Sequence, residues 1–401
     1  MQIGIESLGR QAESSLSITS AEQPPVPVFK PLIEEDELTA ARGALEMGWL
    51  GMGGYVGQFE GAVKEFIQAP DRHVVAVSTG HAALHLALLL AGVGKGDEVI
   101  TPAFNNISDF QAILAVGAEP VFCDIEDDSL GIDLEKAASL VSPRTKAIII
   151  MDYGCRTCNH ELAAQWARRR HLRVIHDAAH AFGSQYQGKM IGSFSDLCIF
   201  SFDPVKTLTC IDGGALVVRT QAEVDLLHEM RLVGMAQPSS VMYQNRRAWT
   251  YEVRRLGFRY HMANLHAAIG VAQLRKMDRI TATRRTACRY YNQRLQGIAG
   301  IRTPNTDFTG TAPFIYYVRV PARKREALRS HLKKLGIDTG IHWQPGHWFS
   351  LFKDCRRGDL SVTDRVGNEI LSLPLHSSMS TATIDRVILG IHSFFGGGND
   401  Q

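Results

Sequence analysis

No apolar run in this 401-residue chain reaches the roughly 18 residues a membrane-spanning helix requires, so no membrane span is expected. Net charge is almost absent as well. The 43 Lys and Arg residues stand against 41 Asp and Glu, a formal +2, which offers no footing for nucleic acid or for an acidic membrane surface. The N-terminal stretch MQIGIESLGRQAESSLSITSAEQPPVPVFKP has no basic start followed by an apolar segment, so no secretory signal is read there and a cytoplasmic protein is expected. Its Ser, Gln, Glu and Pro content makes residues 1–25 read as a loosely draped segment. Cysteine is sparse and odd in number, seven in all, which argues against a disulfide framework. Cys155 and Cys158 form a CxxC with His160 just beyond. A zinc site would want a second pair at suitable spacing and none exists, so no metal is expected. A thioredoxin-like redox pair and two reduced cysteines in a loop both remain open. Internal repeats and low-complexity tracts are lacking too.

What is present is ordinary globular composition, 45% hydrophobic and 21% charged, in a length that suits two domains. Between residues 74 and 220 short apolar runs alternate with helical patterns. HVVAVS, DEVITPAF, EPVFCDI, KAIIIMD and LRVIHDA read as strands, and HAALHLALLLAGV, SDFQAILAVGA and NHELAAQWARRR as helices. LCIFSF and GGALVV read as a closing pair of strands. Such alternation predicts an α/β fold, a doubly wound and mostly parallel sheet with helices on both faces and ligands at the carboxyl ends of the strands. A long helical region, HMANLHAAIGVAQLRKMDRITATRRTACRYYNQRLQGI, follows and is long enough to connect two domains. The expected division is residues 26–285 as a large domain with the connecting helix, and 286–401 as a smaller α+β domain.

Three strand ends carry candidate chemistry. Thr79, Gly80 and His81 join a strand to a helix, whose N-terminus suits a phosphate, although plain turn chemistry would use the same residues. Asp177 ends an apolar strand, where a carboxylate needs a cationic partner or caps the next helix. Lys206 lies between FSF and a pair of glycines; taken alone it would read as a surface lysine. A cofactor with a phosphate, a ring nitrogen to be held protonated and an aldehyde would use all three groups. Pyridoxal 5'-phosphate is such a cofactor: the lysine forms a Schiff base and the aspartate deepens the electron sink. The glycine-rich GMGGYVG does not link a strand to a helix in a βαβ unit, so it is not read as a dinucleotide fingerprint.

The ordered series STGHAALHLAL, GDEVITPAF, GAEPVFCDI, TKAIII, HDAAHAFGSQYQGKMIGSFSD, FSFDPVKTLTCIDGGALV and LGFRYHMANLHAAIGVAQL resembles the DegT/DnrJ/EryC1/StrS aminotransferases. GWLGMGGYVGQFE near the start, and IHWQPGHW and ILSLPLH near the end, extend the resemblance over nearly everything from about residue 26. It implies fold type I, the aspartate aminotransferase fold, with a seven-stranded type of sheet. It implies Lys206 as the Schiff-base lysine, Asp177 as pyridinium partner and His180 against the cofactor ring or its hydroxyl. Ser201, Gly80 and His81 would contact the phosphate, His81 standing where Thr is usual, and Phe104 would stack on the pyridine ring. Arg259 would reach the phosphate of a partner subunit, in a homodimer with shared active sites. Trp49, Asn105, His342 and His347 are the substrate candidates that the resemblance suggests. Some relatives carry His at the lysine position and act as sugar 3-dehydratases; this chain keeps Lys206, which favours amino transfer.

The implied reaction takes an amino group from L-glutamate, leaving 2-oxoglutarate, by way of pyridoxamine 5'-phosphate, and passes it to a keto-sugar. A nucleotide-linked keto-deoxysugar for a cell-surface glycan such as lipopolysaccharide, or for an antibiotic, is the first expectation. Asn105 and Asn106 depart from the usual residues, as does His261 in place of Arg. These leave open a nucleotide-free keto- or aldehydo-sugar acid, or a non-catalytic regulatory protein that binds the cofactor.

Overall fold

The computed structural model describes residues 24–236, 239–246 and 249–396. Of the segment expected to be loosely draped, residues 1–23 lie outside the described residues. Seven strands form the main sheet: β1 (His73–Val77), β2 (Glu98–Pro102), β3 (Glu119–Cys123), β4 (Thr145–Met151), β5 (Arg173–Asp177), β6 (Leu197–Ser201) and β7 (Gly214–Val218), in the order β1-β7-β6-β5-β4-β2-β3. Only β7 runs antiparallel to its neighbours, pairing β1 and β6. Every residue of β2 and β7 is buried, as expected of strands covered on both faces.

The two faces follow from alternation along each strand. Val75, Val77, Val99, Ile149, Ile175 and Leu216 point into one layer. The helix α3 (Gly80–Leu90) covers it, together with α4 (Ile107–Ala115) and a later helix ending at Arg231. Val74, Ala76, Cys198, Phe200 and Val217 point into the other. There they meet α2 (Gly54–Phe66), which follows α1 (Glu35–Glu46). The helix α5 (His160–Arg168) covers Ile148, Ile150 and Val174. The helix ending at Arg231 is α6 (Gln221–Arg231).

The long helical region is two helices, α7 (Asn264–Leu274) and α8 (Met277–Leu295). They part at Lys276, whose ψ of 1° departs from helical geometry. Its buried side chain explains the interruption: Nζ is 2.7 Å from Glu37 and 3.0 Å from Glu34, so the chain turns to bring the amine to the start of α1. Residue 285, the expected end of the large domain, lies inside α8. Beyond it, β8 (Tyr316–Arg319) pairs β9 (Ile370–Leu373) antiparallel, with α9 (Ala322–Lys334), α10 (Ser361–Glu369) and α11 (Thr381–Gly396) around them. Their core also takes in Val26, Phe104 and Tyr153, so the chain's first described residues pack on its last third.

One buried ion pair holds α2, β1 and α6 together. Arg231 is fully buried, with Nη1 2.6 Å from Glu60 Oε1 and 2.6 Å from the Ala76 carbonyl, while Nη2 donates to the Tyr243 hydroxyl. Tyr243 in turn donates to Glu60 Oε2. Removing one partner strands the other charge in the core, a loss of about 3–5 kcal/mol. Glu60→Ala should therefore lower the melting temperature of the protein sharply, whereas Glu65→Ala on the same helix should leave it nearly unchanged, as differential scanning calorimetry will show.

Candidate active site

The carboxyl ends of β1, β5 and β6 meet at one cavity of about 690 Å³, a size ordinary for a small-molecule site. Gly80, His81, Asp177, His180, Ser201, Lys206 and His342 all line it. Seven of the residues singled out from the sequence are thus brought together.

Each is placed by local chemistry. Thr79 caps α3, its side chain accepting from the Ala82 N–H at 2.9 Å, which leaves Gly80 and His81 in the first turn, where N–H groups lack intrahelical partners. A Cβ on Gly80 would stand 2.7 Å from Ser201 Cβ, so only glycine leaves that turn open against the end of β6. Gly214 serves the same junction from the other side, since a side chain there would overlap the Thr79 carbonyl. Asp177 ends β5 between Met151 and Ile199 and accepts from the Ala179 N–H at 2.9 Å. Burial pushes its carboxyl up to about 6, and the nearby Lys206 works in the other direction. His180 is buried, its Nδ1 3.3 Å from the Gly154 N–H, and burial pushes the imidazole well below its ordinary value.

Lys206 sits in the loop between β6 and β7, its backbone N–H donating to the Asp203 carbonyl. The residue as a whole is half-buried, but its amine is deep: Nζ lies 4.4 Å from the centre of the Phe314 ring. Burial lowers the amine to about 8, against the opposing pull of Asp177, Asp203 and Asp109.

Several cavity residues were not singled out from the sequence. Phe29, Phe314 and Trp343 form an aromatic wall, with Phe29 stacked on Phe314 at 5.1 Å and His180 facing Trp343 at 5.8 Å. Asp109 is fully buried, bonded to Asn105 through Oδ2, while its Oδ1 has no hydrogen-bond partner. Burial and the charge of Asp177 push its carboxyl well up. No sequence signal marked Asp109, because it looks like any acid in the first turn of a helix.

Five candidates fall outside the cavity lining. Phe104, expected to stack on the cofactor ring, is buried against Tyr153 at 5.3 Å in the core shared with the C-terminal third. The apolar ring is drawn into that core, and Asn106, the cap of α4, takes the place on the cavity wall. Asn105 is fully buried and engaged with Asp109, so it acts through that residue. Trp49 is half-buried, donating from Nε1 to the Met52 carbonyl at 2.8 Å. His347 is bonded to Asp364 at 2.9 Å, away from the cavity. Arg259 is exposed, bridged through its backbone to Leu232.

These residues fit pyridoxal 5'-phosphate. The open turn at Gly80 with the Ser201 hydroxyl suits its phosphate, buried Asp177 suits a protonated ring nitrogen, and Lys206 offers an amine that burial makes partly neutral near neutral pH.

Comparison with known proteins places these observations. A family model described as the DegT/DnrJ/EryC1/StrS aminotransferase family matches residues 31–392. The chain is 34% identical over 381 residues to the spore coat polysaccharide biosynthesis protein SpsC of Bacillus subtilis (strain 168), covering 93% of this chain and 97% of that protein. Among solved structures, the aminotransferase TlmJ from Streptoalloteichus hindustanus superposes with a TM-score of 0.86 at 32% identity, over 93% of this chain and 99% of that one. DesV of S. venezuelae, solved in complex with a ketimine intermediate, gives 0.84 at 27% identity over 93% and 99%.

Two outcomes follow from the geometry. Gly80→Ala should weaken retention of pyridoxal phosphate about tenfold or more, because Ser201 must move to admit the methyl group; fluorescence titration of the cofactor-free protein measures it. The rate at which that protein takes up cofactor should rise with pH through a midpoint near 8, as Lys206 loses its proton well below the ordinary lysine value of 10.5. Stopped-flow absorbance follows the uptake, and a rate flat between about pH 7 and 9 would contradict the lowered value.

Proposed function

The chain belongs to the DegT/DnrJ/EryC1/StrS aminotransferase family, which uses pyridoxal phosphate, and we propose that it moves an amino group from L-glutamate to a nucleotide-linked keto-deoxysugar. The observation that carries this reading is Lys206: a lysine amine lowered by burial, in a cavity it shares with a buried aspartate and the open helix start at Gly80.

When bound, pyridoxal phosphate supplies the electron sink and carries the amino group between the two half-reactions. Lys206 Nζ would take the proton from the α-carbon of glutamate and pass it to the bound cofactor, and in the second half-reaction would take it back and deliver it to the sugar carbon that gains the amine. Asp177 holds positive charge at the ring nitrogen, its burial strengthening that pairing. Gly80, His81 and Ser201 hold the phosphate, and His180 packs alongside the ring. Phe29, Phe314 and Trp343 exclude water from the proton-transfer step.

A shared-site homodimer accords with the exposed surface near Arg259. Trp249 is 87% exposed and Leu256 80%, in a segment that also carries Arg254, Arg255 and Arg259. Large apolar side chains beside arginines suit an interface better than free solvent. Arg259 of each protomer would then reach the phosphate in its partner's site, as an isologous dimer permits.

The tests are direct. Borohydride treatment of the holoenzyme, followed by digestion and mass spectrometry, should place a pyridoxyl group on the Lys206 peptide; label on any other lysine overturns the assignment. Asp177→Asn should keep cofactor but lose about 10²–10³ in kcat. Binding of a uridine or thymidine diphosphate should raise the melting temperature if the acceptor carries a nucleotide, and no rise favours a nucleotide-free sugar acid. Mixing inactive Lys206→Ala with Arg259→Ala under subunit exchange should restore part of the activity, since one site of each heterodimer escapes both lesions. Heterodimers without recovery exclude a shared site.

A further inference from the structure

A second cluster of ligating side chains lies beside the cofactor cavity and takes no part in the chemistry above. Asp152 directly follows β4, His176 lies in β5 one residue before Asp177, and His160 opens α5. All three are buried, and one ligand atom from each lies within 4.8 Å of the others. His176 Nε2 is 2.9 Å and His160 Nε2 3.1 Å from the same oxygen of Asp152. A carboxylate accepting two imidazole N–H bonds would produce those distances. They are a few tenths of an ångström short of the roughly 3.3–3.6 Å that separates ligands around a tetrahedral ion with bonds of about 2.0–2.2 Å, a gap that small side-chain shifts close.

Four further features favour an ion. First, a soft ligand stands beside the cluster: Cys158 Sγ is 3.7 Å from both ring nitrogens of His160, near enough for a side-chain rotation to bring it to the ion, and its backbone N–H donates to Asp152 at 2.8 Å. Second, His176 Nδ1 lies 2.8 Å from the Ser195 hydroxyl, the kind of outer hydrogen bond that orients a metal-ligating imidazole with Nε2 free for the ion. Third, a cavity of about 270 Å³ lined by His160, Ser195, Asp196 and Arg219 brings solvent to one of the three ligands. Fourth, the ion-pair partners of buried Asp152 among the described residues are those two imidazoles alone, with no lysine or arginine.

We propose that Asp152, His160 and His176 bind a divalent cation of the zinc class, with Cys158 turning in from beside His160 as fourth ligand. Four protein ligands close the coordination sphere, so the ion is structural: it ties the end of β4 and the start of α5 to β5, next to the aspartate that faces the cofactor. On binding, each imidazole proton moves from Nε2 to Nδ1, and the Cys158 thiol releases one proton to solvent. The carboxylate and thiolate then balance the two positive charges of the ion. The CxxC spacing conceals the site, because Cys155 is buried in the C-terminal core while Cys158 packs with the β4–α5 layer.

The test uses holoenzyme stripped with a chelator and titrated with Co²⁺, then with Zn²⁺. One equivalent per chain is expected, with the visible bands of four-coordinate cobalt, a thiolate charge-transfer band and displacement by zinc. Cys158→Ser should remove the thiolate band. His160→Gln should weaken binding at least tenfold while leaving turnover unchanged, since His160 touches neither substrate nor cofactor. Absence of saturable binding by the wild-type protein would show a hydrogen-bonded cluster only and overturn the proposal. A cobalt spectrum unaffected by both substitutions would place the ion elsewhere and overturn it equally.

Discussion

The Lys206 amine is poised between two opposed forces. Burial removes the water that would hold its charge, while the carboxylates of Asp177, Asp203 and Asp109 favour that charge, and the balance falls near 8. That balance needs the amine shielded from water, and the strand ends do not shield it alone. The aromatic wall comes from Phe29, before the first helix, and from Phe314 and Trp343 in the last third of the chain. Arg284 of α8 holds this wall in place: it is buried, with Nη1 within 3.4 Å of the carbonyls of Pro313, Phe314 and Leu375 and Nε donating to Ser377. The helix that joins the two parts of the chain thereby fixes the Phe314 ring over the Lys206 amine.

Asp109 is the feature least explained by folding. A buried carboxylate beside a second one, with an oxygen lacking any partner, is costly unless a ligand or a proton offsets it. Natural chains keep such local conflicts at functional sites. Its neighbour Asn105 orients it, so a residue that never reaches the cavity still shapes the cavity's charge.

Much of this was legible in the amino-acid order. The parallel strands are continuous apolar runs because helices cover both faces, and the helices between them carry caps such as Thr79, Asn106 and Asn159 at their starts. Phe104 misled for a physical reason. An aromatic residue after a strand can turn toward the ligand or toward the core, and here the C-terminal core competes for it. The break at Lys276 was equally hidden, because the apolar periodicity continues across it and the cause is an ion pair to a helix more than 200 residues earlier.

By itself, then, the sequence determined what rests on local order: a mostly parallel sheet, an open helix start at Gly80, an aspartate at one strand end and a lysine after another. Those depend on periodicity, capping and glycine, which act over a few residues. Only the tertiary structure decided which of Phe104 and Asn106 faces the cavity, that Asp109 stands beside Asp177, and that Asp152, His160 and His176 converge. Burial and charge coupling are properties of neighbours in space, and chain order does not encode them until the sheet has closed and the last third of the chain has packed over it.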